Sequence, residues 1–221
     1  MIIRCIGHAE FLLELENGMR IATDPYDASC GYPVEKIAAD VALVSHGHHD
    51  HNAVENLTGL SRIIDAPGEY DLGDGVRVRA VLAAHDEAGG AKRGSNLLFC
   101  LEAEGLRVMH LGDLGHIPTQ EQLDALGRAD VVMIPVGGFY TIDAPTAREV
   151  AQLLHARVIL PMHYRTSANA DWPIDGVERF MHLYQVPAEF VDLLRVSGGD
   201  LACQPPLAVL KPASLNAQAH T

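Results

Sequence analysis

Residues 46–51 combine histidines and an aspartate at spacings that suit a metal ion. The segment reads His-Gly-His-His-Asp-His and directly follows the apolar run 41–44. Imidazole nitrogens and carboxylate oxygens are the donors that zinc and similar divalent metals bind. The pattern H-x-H-x-D-H would arise by chance in about one of 400 sequences of this length and composition. A histidine-rich surface tract or a terminal tag is the alternative, but this segment lies in mid-chain. The segment predicts a metal site that contains His46, His48, Asp50 and His51.

Three further candidate ligands lie at the ends of predicted strands. His85, Asp113 and His163 each come within three residues of the end of an apolar run. Loops at the carboxyl ends of strands in layered α/β folds converge on one crevice. Each of these residues, taken alone, is also compatible with an ordinary hydrogen-bonded side chain. Their common position beside a histidine-rich loop favours a shared metal site.

The first half of the chain predicts short β-strands. Asn17-Gly18 lies between two apolar runs, which is the strongest short signal for a hairpin. Residues 76–81 read Val-Arg-Val-Arg-Ala-Val, an alternation with period two that is typical of a half-buried strand. The predicted strands cover residues 2–6, 11–16, 19–23, 41–45, 76–84, 97–102 and 106–110, and residues 62–65 form a brief apolar segment.

The second half predicts alternating helices and strands. Thr119 with Gln122, and Thr146 with Glu149, each predict a capping box at a helix N-terminus. The predicted helices cover residues 119–128, 146–155 and 175–184, and the predicted strands cover residues 131–135, 158–161 and 190–194.

The length and pattern of the chain predict one domain. The 221 residues contain no internal repeat, low-complexity block or linker that would divide them. We expect a single domain over residues 1–204. Residues 205–221 carry three prolines and weak periodicity, and they are expected to form a partly ordered tail.

The charge balance bears on the class of partner. There are 16 basic and 29 acidic residues, which gives a net charge of −13. A nucleic-acid groove needs a basic surface, so no nucleic-acid partner is expected. The oligomeric state is left open, and a homo-oligomer is one of the alternatives.

The cysteines and the apolar runs predict a cytoplasmic protein. The chain has no C-x-x-C pair, and free thiols are typical of a reducing compartment. The first residues lack the features of a signal peptide. No apolar run approaches the roughly 20 residues that span a bilayer, so no membrane association is expected.

The combined motifs resemble those of the metallo-β-lactamase fold superfamily. The resemblance extends from residue 1 to about residue 195, and it is strongest for a cytoplasmic branch that includes ascorbate-6-phosphate lactonase-like proteins. The segments that carry it are H-x-H-x-D-H at 46–51, His85, Gly-Asp at 112–113, Pro-Met-His-Tyr at 161–164, Gly-His-Ala at 7–9, Thr-Asp-Pro at 23–25, Pro-Gly-Glu-Tyr at 67–70 and Arg-Gly-Ser-Asn at 93–96.

The resemblance implies an α/β fold, a four-layer αββα sandwich with a two-metal site at one edge between the sheets. His46, His48 and His85 would bind one ion, and Asp50, His51 and His163 would bind the other. Asp113 would bridge them. The implied cofactors are two divalent ions, with zinc first and manganese, iron or nickel as alternatives.

Other residues are expected to support the site. The resemblance implies that Asp24 orients a ligand without binding metal, although an Asp-Pro turn is an equally simple reading. His49 is expected to point away from the metals. For His8, a supporting or core role is expected rather than ligation. Arg93 could add positive charge near the metals or be an ordinary surface residue.

The expected chemistry is hydrolysis by a metal-bound hydroxide. Two divalent ions carry more charge than Asp50, Asp113 and one hydroxide cancel, so the pocket stays positive. A positive pocket favours a small anionic substrate, and we expect an ester, a lactone or a phosphodiester. Asp50 is the expected catalytic residue, because it would orient the nucleophile. A non-catalytic metal-binding or sensory module and a nuclease of the same superfamily are the alternatives.

Overall fold

Two six-stranded sheets form the frame of the computed structural model, which describes residues 1–185 and 189–216. The first sheet contains, in spatial order, β15 (Leu194–Arg195), β1 (Ile2–Gly7), β2 (Glu10–Glu14), β3 (Arg20–Thr23), β5 (Val41–Leu43) and β7 (Arg62–Ile64). The second contains β13 (Val158–Met162), β12 (Val131–Pro135), β11 (Leu106–His110), β10 (Ser95–Ala103), β9 (Val76–Ala84) and β8 (Gly68–Gly73).

Smaller elements complete the described part of the chain. Two parallel pairs of short strands are β4 (Ile37–Ala38) with β6 (Leu57–Thr58), and β14 (Glu189–Val191) with β16 (Ala208–Leu210). The α-helices are α1 (Gln120–Leu126), α2 (Ala144–Leu153), α3 (Val177–Tyr184) and α4 (Ala213–Asn216). None of the helices among the described residues is both long and apolar enough to cross a bilayer.

The main hydrophobic core lies between the two sheets. Phe11 of β2 and Phe99 of β10 are both buried in it, from opposite sides. A second core lies beneath the longer helices, where Val150 of α2 and Phe180 of α3 pack on the outer face of the second sheet. On the first sheet, a small cluster that includes Leu215 of α4 packs near β1. The predicted α/β sandwich is therefore confirmed.

Local sequence patterns predicted some elements correctly and others wrongly. The hairpin around Asn17-Gly18 is present as β2 and β3. The capping box of Thr119 and Gln122 is confirmed. The second capping box is wrong, because α2 begins at Ala144 and its N-cap is Asp143. A single strand over 190–194 is also wrong, since that segment contributes to two short strands in different sheets.

The segment after residue 204 contributes to the packed interior. Leu207 and Val209 belong to the core beneath the helices, whereas Ala208 and Leu210 belong to the core between the sheets. β16 also pairs with β14. The segment predicted as a tail therefore contains a strand that contacts both cores, and residues 217–221 lie outside the described residues.

Six of the strands whose carboxyl ends lie at one edge of the sandwich lead into predicted site residues. In the first sheet β1, β3 and β5 end there, because β2 runs antiparallel between β1 and β3 and β5 runs parallel to β3. In the second sheet β9, β11 and β13 end there for the corresponding reasons. The residues that follow these six strands can therefore meet between the sheets.

Candidate metal centre

Asp113, which follows β11, lies at the middle of the cluster. The carboxylate is 2% exposed. Its Oδ2 atom is 3.1 Å from Nε2 of His85 and 3.3 Å from Nε2 of His163. Its Oδ1 atom is 3.2 Å from Nε2 of His51, and Oδ2 is 3.9 Å from Nε2 of His46. One carboxylate therefore lies near the ring nitrogens of four histidines, which follow three other strands of the two sheets.

The remaining donors form two groups on either side of this carboxylate. Within each group, the candidate ligand atoms lie within 4.8 Å of one another. The first group contains His46, His48 and His85, and the second contains His8, Asp50, His51 and His163. The seven predicted ligands therefore meet in the grouping that the resemblance implies, and His8 lies with the second group.

The geometry of the cluster fits bound metal ions. Donors about 2.1 Å from one ion stand about 3.0–3.4 Å apart when they subtend 90–110° at the metal. The separations of Asp113 from His51, His85 and His163 fall in this range, and the separation from His46 is longer. Among the described residues, the buried atoms Asp113 Oδ1 and His51 Nε2 make no hydrogen bond of acceptable geometry, although they lie 3.2 Å apart. Leaving such atoms unsatisfied costs about 1–3 kcal/mol each, and a divalent ion would satisfy them.

Asp24 orients two of the histidines from outside the metal groups. It is completely buried, and its carboxylate accepts hydrogen bonds from the Ser45 backbone N at 2.7 Å and from Ser45 Oγ at 2.6 Å. His51 Nδ1 donates to the same carboxylate at 2.8 Å. Ser45 Oγ is also 2.9 Å from Nδ1 of His46. Both rings thus direct Nε2 towards Asp113, which is the usual way in which a carboxylate selects the tautomer of a metal-binding histidine.

Asn96 holds Asp113 in place. Its Oδ1 atom accepts a hydrogen bond from the Asp113 backbone N at 2.9 Å, and its Nδ2 atom donates to the Leu111 carbonyl at 2.9 Å. Gly112 makes this approach possible, because a Cβ there would lie 2.3 Å from Asn96 Oδ1. Asn96 had no predicted role. The available signal was a polar residue at the start of an otherwise apolar strand.

The protonation states suit metal binding at most donors. Burial, together with the neighbouring His51, lowers the pKa of His46 to about 3, so its ring is neutral at pH 7. Burial alone would raise the pKa of Asp113, but His163 and His51 outweigh it and hold that pKa well below its usual range. His51 is the exception. Burial alone would lower its pKa, but Asp113 and Asp24 outweigh burial and raise that pKa well above its usual value. Metal binding at His51 must therefore release a proton.

Three residues of the cluster adopt the left-handed backbone conformation. His8, Asp24 and His163 have φ values of 53°, 39° and 50°, and each directly follows a strand. This conformation is uncommon for residues other than glycine. Such strain persists where the surrounding structure enforces it, and it is concentrated at functional sites.

A cleft of about 390 Å³ opens above the cluster. Arg93 and Tyr140 line it, and the Arg93 guanidinium lies 5.7 Å from the centre of the Tyr140 ring. Arg93 Nη2 also donates to the Phe139 carbonyl at 3.1 Å. Trp172 lines the same cleft, with its ring 6.3 Å from that of His163. Arg93 is therefore held in the lining of the cleft, beside the candidate metal ligands. Tyr140 and Trp172 carried no sequence signal.

The loop that carries Arg93 is organised by Asp86. This carboxylate accepts hydrogen bonds from four backbone N–H groups, including those of Lys92 at 2.9 Å and Arg93 at 2.7 Å. Burial opposes ionisation, but the four hydrogen bonds outweigh it and lower the pKa of Asp86 to about 2. The carboxylate is thus ionised at neutral pH and holds the loop in one conformation.

The other nearby histidines have partners outside the two candidate ligand groups. His49 is 65% exposed, and its Nδ1 atom is 2.8 Å from Ser29 Oγ, as expected for a residue that points away. His110 is buried, and its Nε2 atom donates to the Ala9 carbonyl. His116 accepts a hydrogen bond from the Ala84 backbone N.

The chain is similar to known proteins over most of its length. The profile of the Beta-lactamase superfamily domain matches residues 2–163. A UPF0173 metal-dependent hydrolase of Thermococcus onnurineus is 30% identical over 96% of this chain and 97% of its own. A counterpart from Archaeoglobus fulgidus is 32% identical over 75% of this chain and 84% of its own.

A solved structure extends the similarity to nearly the whole fold. A Thermotoga maritima protein, described as a candidate Zn-dependent hydrolase of the metallo-β-lactamase superfamily, is 36% identical with a TM-score of 0.75. The alignment covers 95% of this chain and 97% of that protein. Igni18, a metallo hydrolase from Ignicoccus hospitalis, shares the fold with a TM-score of 0.68 at 22% identity, over 96% of this chain and 95% of its own. The chain therefore belongs to the metallo-β-lactamase superfamily, among its metal-dependent hydrolases.

Proposed function

We propose that the protein hydrolyses a small anionic ester, lactone or phosphodiester with two divalent metal ions bound at the cluster. The observation that carries this proposal is the position of Asp113. Its two carboxylate oxygens lie 3.1–3.3 Å from ring nitrogens of both ligand groups. The first group contributes His85, and the second contributes His51 and His163. A carboxylate shared by two sets of donors is typical of a bridging ligand in a two-metal site.

The bound ions and Asp50 would have different roles in hydrolysis. When bound, divalent ions acidify a water ligand and polarise the scissile bond. Asp50 is 14% exposed, so its carboxylate lies at the floor of the cleft where a substrate can enter. Burial opposes the ionisation of Asp50, but His8 and His51 outweigh it and lower its pKa. The ionised carboxylate can accept a hydrogen bond from the attacking water and orient it.

The cleft also supports an anionic substrate. Arg93 places a fixed positive charge beside the ligands, because both Phe139 and Tyr140 hold its guanidinium. Trp172 and Tyr140 form an aromatic wall with ring centres 6.1 Å apart. We therefore propose a substrate that has a carboxylate or phosphate near the scissile bond and a flat or apolar part against this wall.

Hydrolysis of defined probes tests the proposal. The panel contains γ-lactones, a phosphorylated lactone and bis(4-nitrophenyl) phosphate. The phosphorylated lactone reflects the resemblance to ascorbate-6-phosphate lactonase-like proteins, which stays a prediction. Turnover should disappear on chelation and fall by at least about 100-fold in His48→Ala, because one metal loses a ligand.

His49→Ala is the matched control for this experiment. It removes a neighbouring histidine that belongs to neither ligand group, so activity should stay at the level of the unsubstituted protein. A folded, metal-loaded protein with no turnover across the panel would contradict the proposal and support a non-catalytic metal-binding module. Elemental analysis of protein purified without added metal tests the prediction from the sequence that the ions are zinc.

Arg93→Gln tests the anionic part of the substrate. We expect KM for anionic probes to rise about 10-fold while KM for a neutral lactone stays unchanged, because one charge-assisted contact is lost. Lys92→Gln is the control, since Lys92 pairs with the exposed Glu87 at 2.9 Å. An equal rise for neutral and anionic probes would contradict a charge-based role for Arg93.

A further inference from the structure

His8 is buried beside the second ligand group. It directly follows β1, and its side chain is completely inaccessible. Its ring centre lies 4.3 Å from that of His163 and 5.2 Å from that of His51. The backbone carbonyl of His8 also accepts a hydrogen bond from the His163 backbone N at 3.3 Å. The ring therefore lies within the cluster, and a backbone hydrogen bond joins His8 to His163.

Neither ring nitrogen of His8 has a hydrogen-bond partner among the described residues. The nearest carboxylate oxygen is Asp50 Oδ2, which is 3.5 Å from His8 Nε2. This separation exceeds the 2.7–3.2 Å of an ordinary N–H···O hydrogen bond. It is close to the spacing of two donors on one metal ion. For comparison, His51 Nε2 is 3.7 Å from the same Asp50 oxygen.

A structural role in the core does not explain these features. A buried imidazole without partners is unfavourable, because each unsatisfied nitrogen has lost its hydrogen bond to water. His8 also has a φ of 53°, which adds backbone strain. His110, in contrast, is a buried histidine of the same region whose ring nitrogens both have partners, Ala9 and Gly112. A ligand role would satisfy His8 and would explain why the strain is retained.

We propose that His8 is an additional metal ligand, so that the second position is held by His8, Asp50, His51 and His163 together with the shared Asp113. This inference deepens the proposed function and rests on it for the presence of two metals. The first position would keep three histidines and Asp113. The two positions then differ in coordination, and five protein donors favour an octahedral ion over a tetrahedral one.

The variant His8→Asn tests this assignment in the full-length protein. Asparagine tolerates the left-handed backbone, but its side chain is too short to replace the imidazole. Cobalt(II) is titrated against a competing chelator, and its visible absorption is recorded. We expect one of two equivalents to bind more than about 100-fold more weakly, beyond the usual effect of an outer residue. The visible band should also intensify, because the coordination number falls.

Two further variants keep the test decisive. His49→Asn should bind both equivalents normally and show an unchanged band. His8→Gly suits the left-handed backbone, and added imidazole should restore its affinity for the weakened equivalent. This rescue would support ligation even if His8→Asn failed to fold.

Two outcomes would overturn the inference. Normal affinity and an unchanged band in both His8 variants would show that His8 does not bind metal. Weaker binding with an unchanged band would assign His8 a positioning role towards Asp50. The measurement uses metal alone, so a metal-loaded protein that fails to hydrolyse any probe would contradict the proposed function without affecting this result.

Discussion

At the scale of single residues, Asp24 connects the two ligand groups. It binds His51 directly and reaches His46 through the hydroxyl of Ser45. His46 belongs to the first group and His51 to the second. One buried carboxylate therefore sets the ring orientation of a histidine in each group, although it lies in neither.

The substitution Asp24→Asn should weaken metal binding at both positions. The amide loses an acceptor oxygen, so either His51 or Ser45 loses its partner. We expect affinity to fall about 10–100-fold, as for other residues that orient metal ligands, measured by competition with a chelator. Asp27→Asn is the control, because Asp27 is 38% exposed and bonds Ser29. Unchanged affinity in Asp24→Asn would leave only the Asp-Pro turn as its role.

At the scale of elements, strand ends and helix caps are set by local hydrogen bonds. The N-terminus of α2 shows how a cap can be assigned wrongly. The Thr146 backbone N and Oγ both donate to Asp143 Oδ1, at 3.0 Å and 2.6 Å. Asp143 therefore caps the helix, and Pro145 occupies the first turn, where a missing N–H costs nothing. Thr146 and Glu149 fit the capping-box pattern, but they lie inside the helix.

The variant Asp143→Ala tests this cap. Loss of the cap should lower the free energy of unfolding by about 0.5–2 kcal/mol, measured by urea denaturation. Glu149→Ala is the matched control, since Glu149 is exposed on the same helix and should change stability little. A larger loss in Glu149→Ala than in Asp143→Ala would restore the capping-box interpretation.

At the scale of the whole molecule, the chain after residue 204 joins the two cores. Leu207 is completely buried against the helices, and Leu210 lies in the core between the sheets. Alternate residues of this short segment face opposite cores, as a strand requires. The segment therefore stabilises the sandwich rather than merely following it.

Truncation of Leu207 measures this contribution. Leu207→Ala should lower the free energy of unfolding by about 2–5 kcal/mol, because it removes a fully buried side chain and leaves a cavity. Leu153→Ala serves for comparison, since Leu153 is 41% exposed. Equal stabilities of the two variants would show that residues after 204 contribute little to the core.

Much of the fold could be predicted from local patterns. Asn17-Gly18 predicts a hairpin, and the alternation at 76–81 predicts a strand, because both depend on neighbours in the chain. The segment 190–194 could not be assigned in this way. It is divided between two sheets whose other strands come from distant parts of the chain.

The sequence by itself determined which donors are present and that they follow strands. The types and spacing of residues 46–51 suit a metal ion in any fold, and strand ends can be read from apolar runs. The motif resemblance already implied how the seven donors divide into groups, whereas only the tertiary structure decided that His8 lies with the second group and that Arg93 reaches the cleft. The reason is that these contacts depend on how two sheets face each other, and local periodicity does not specify that packing.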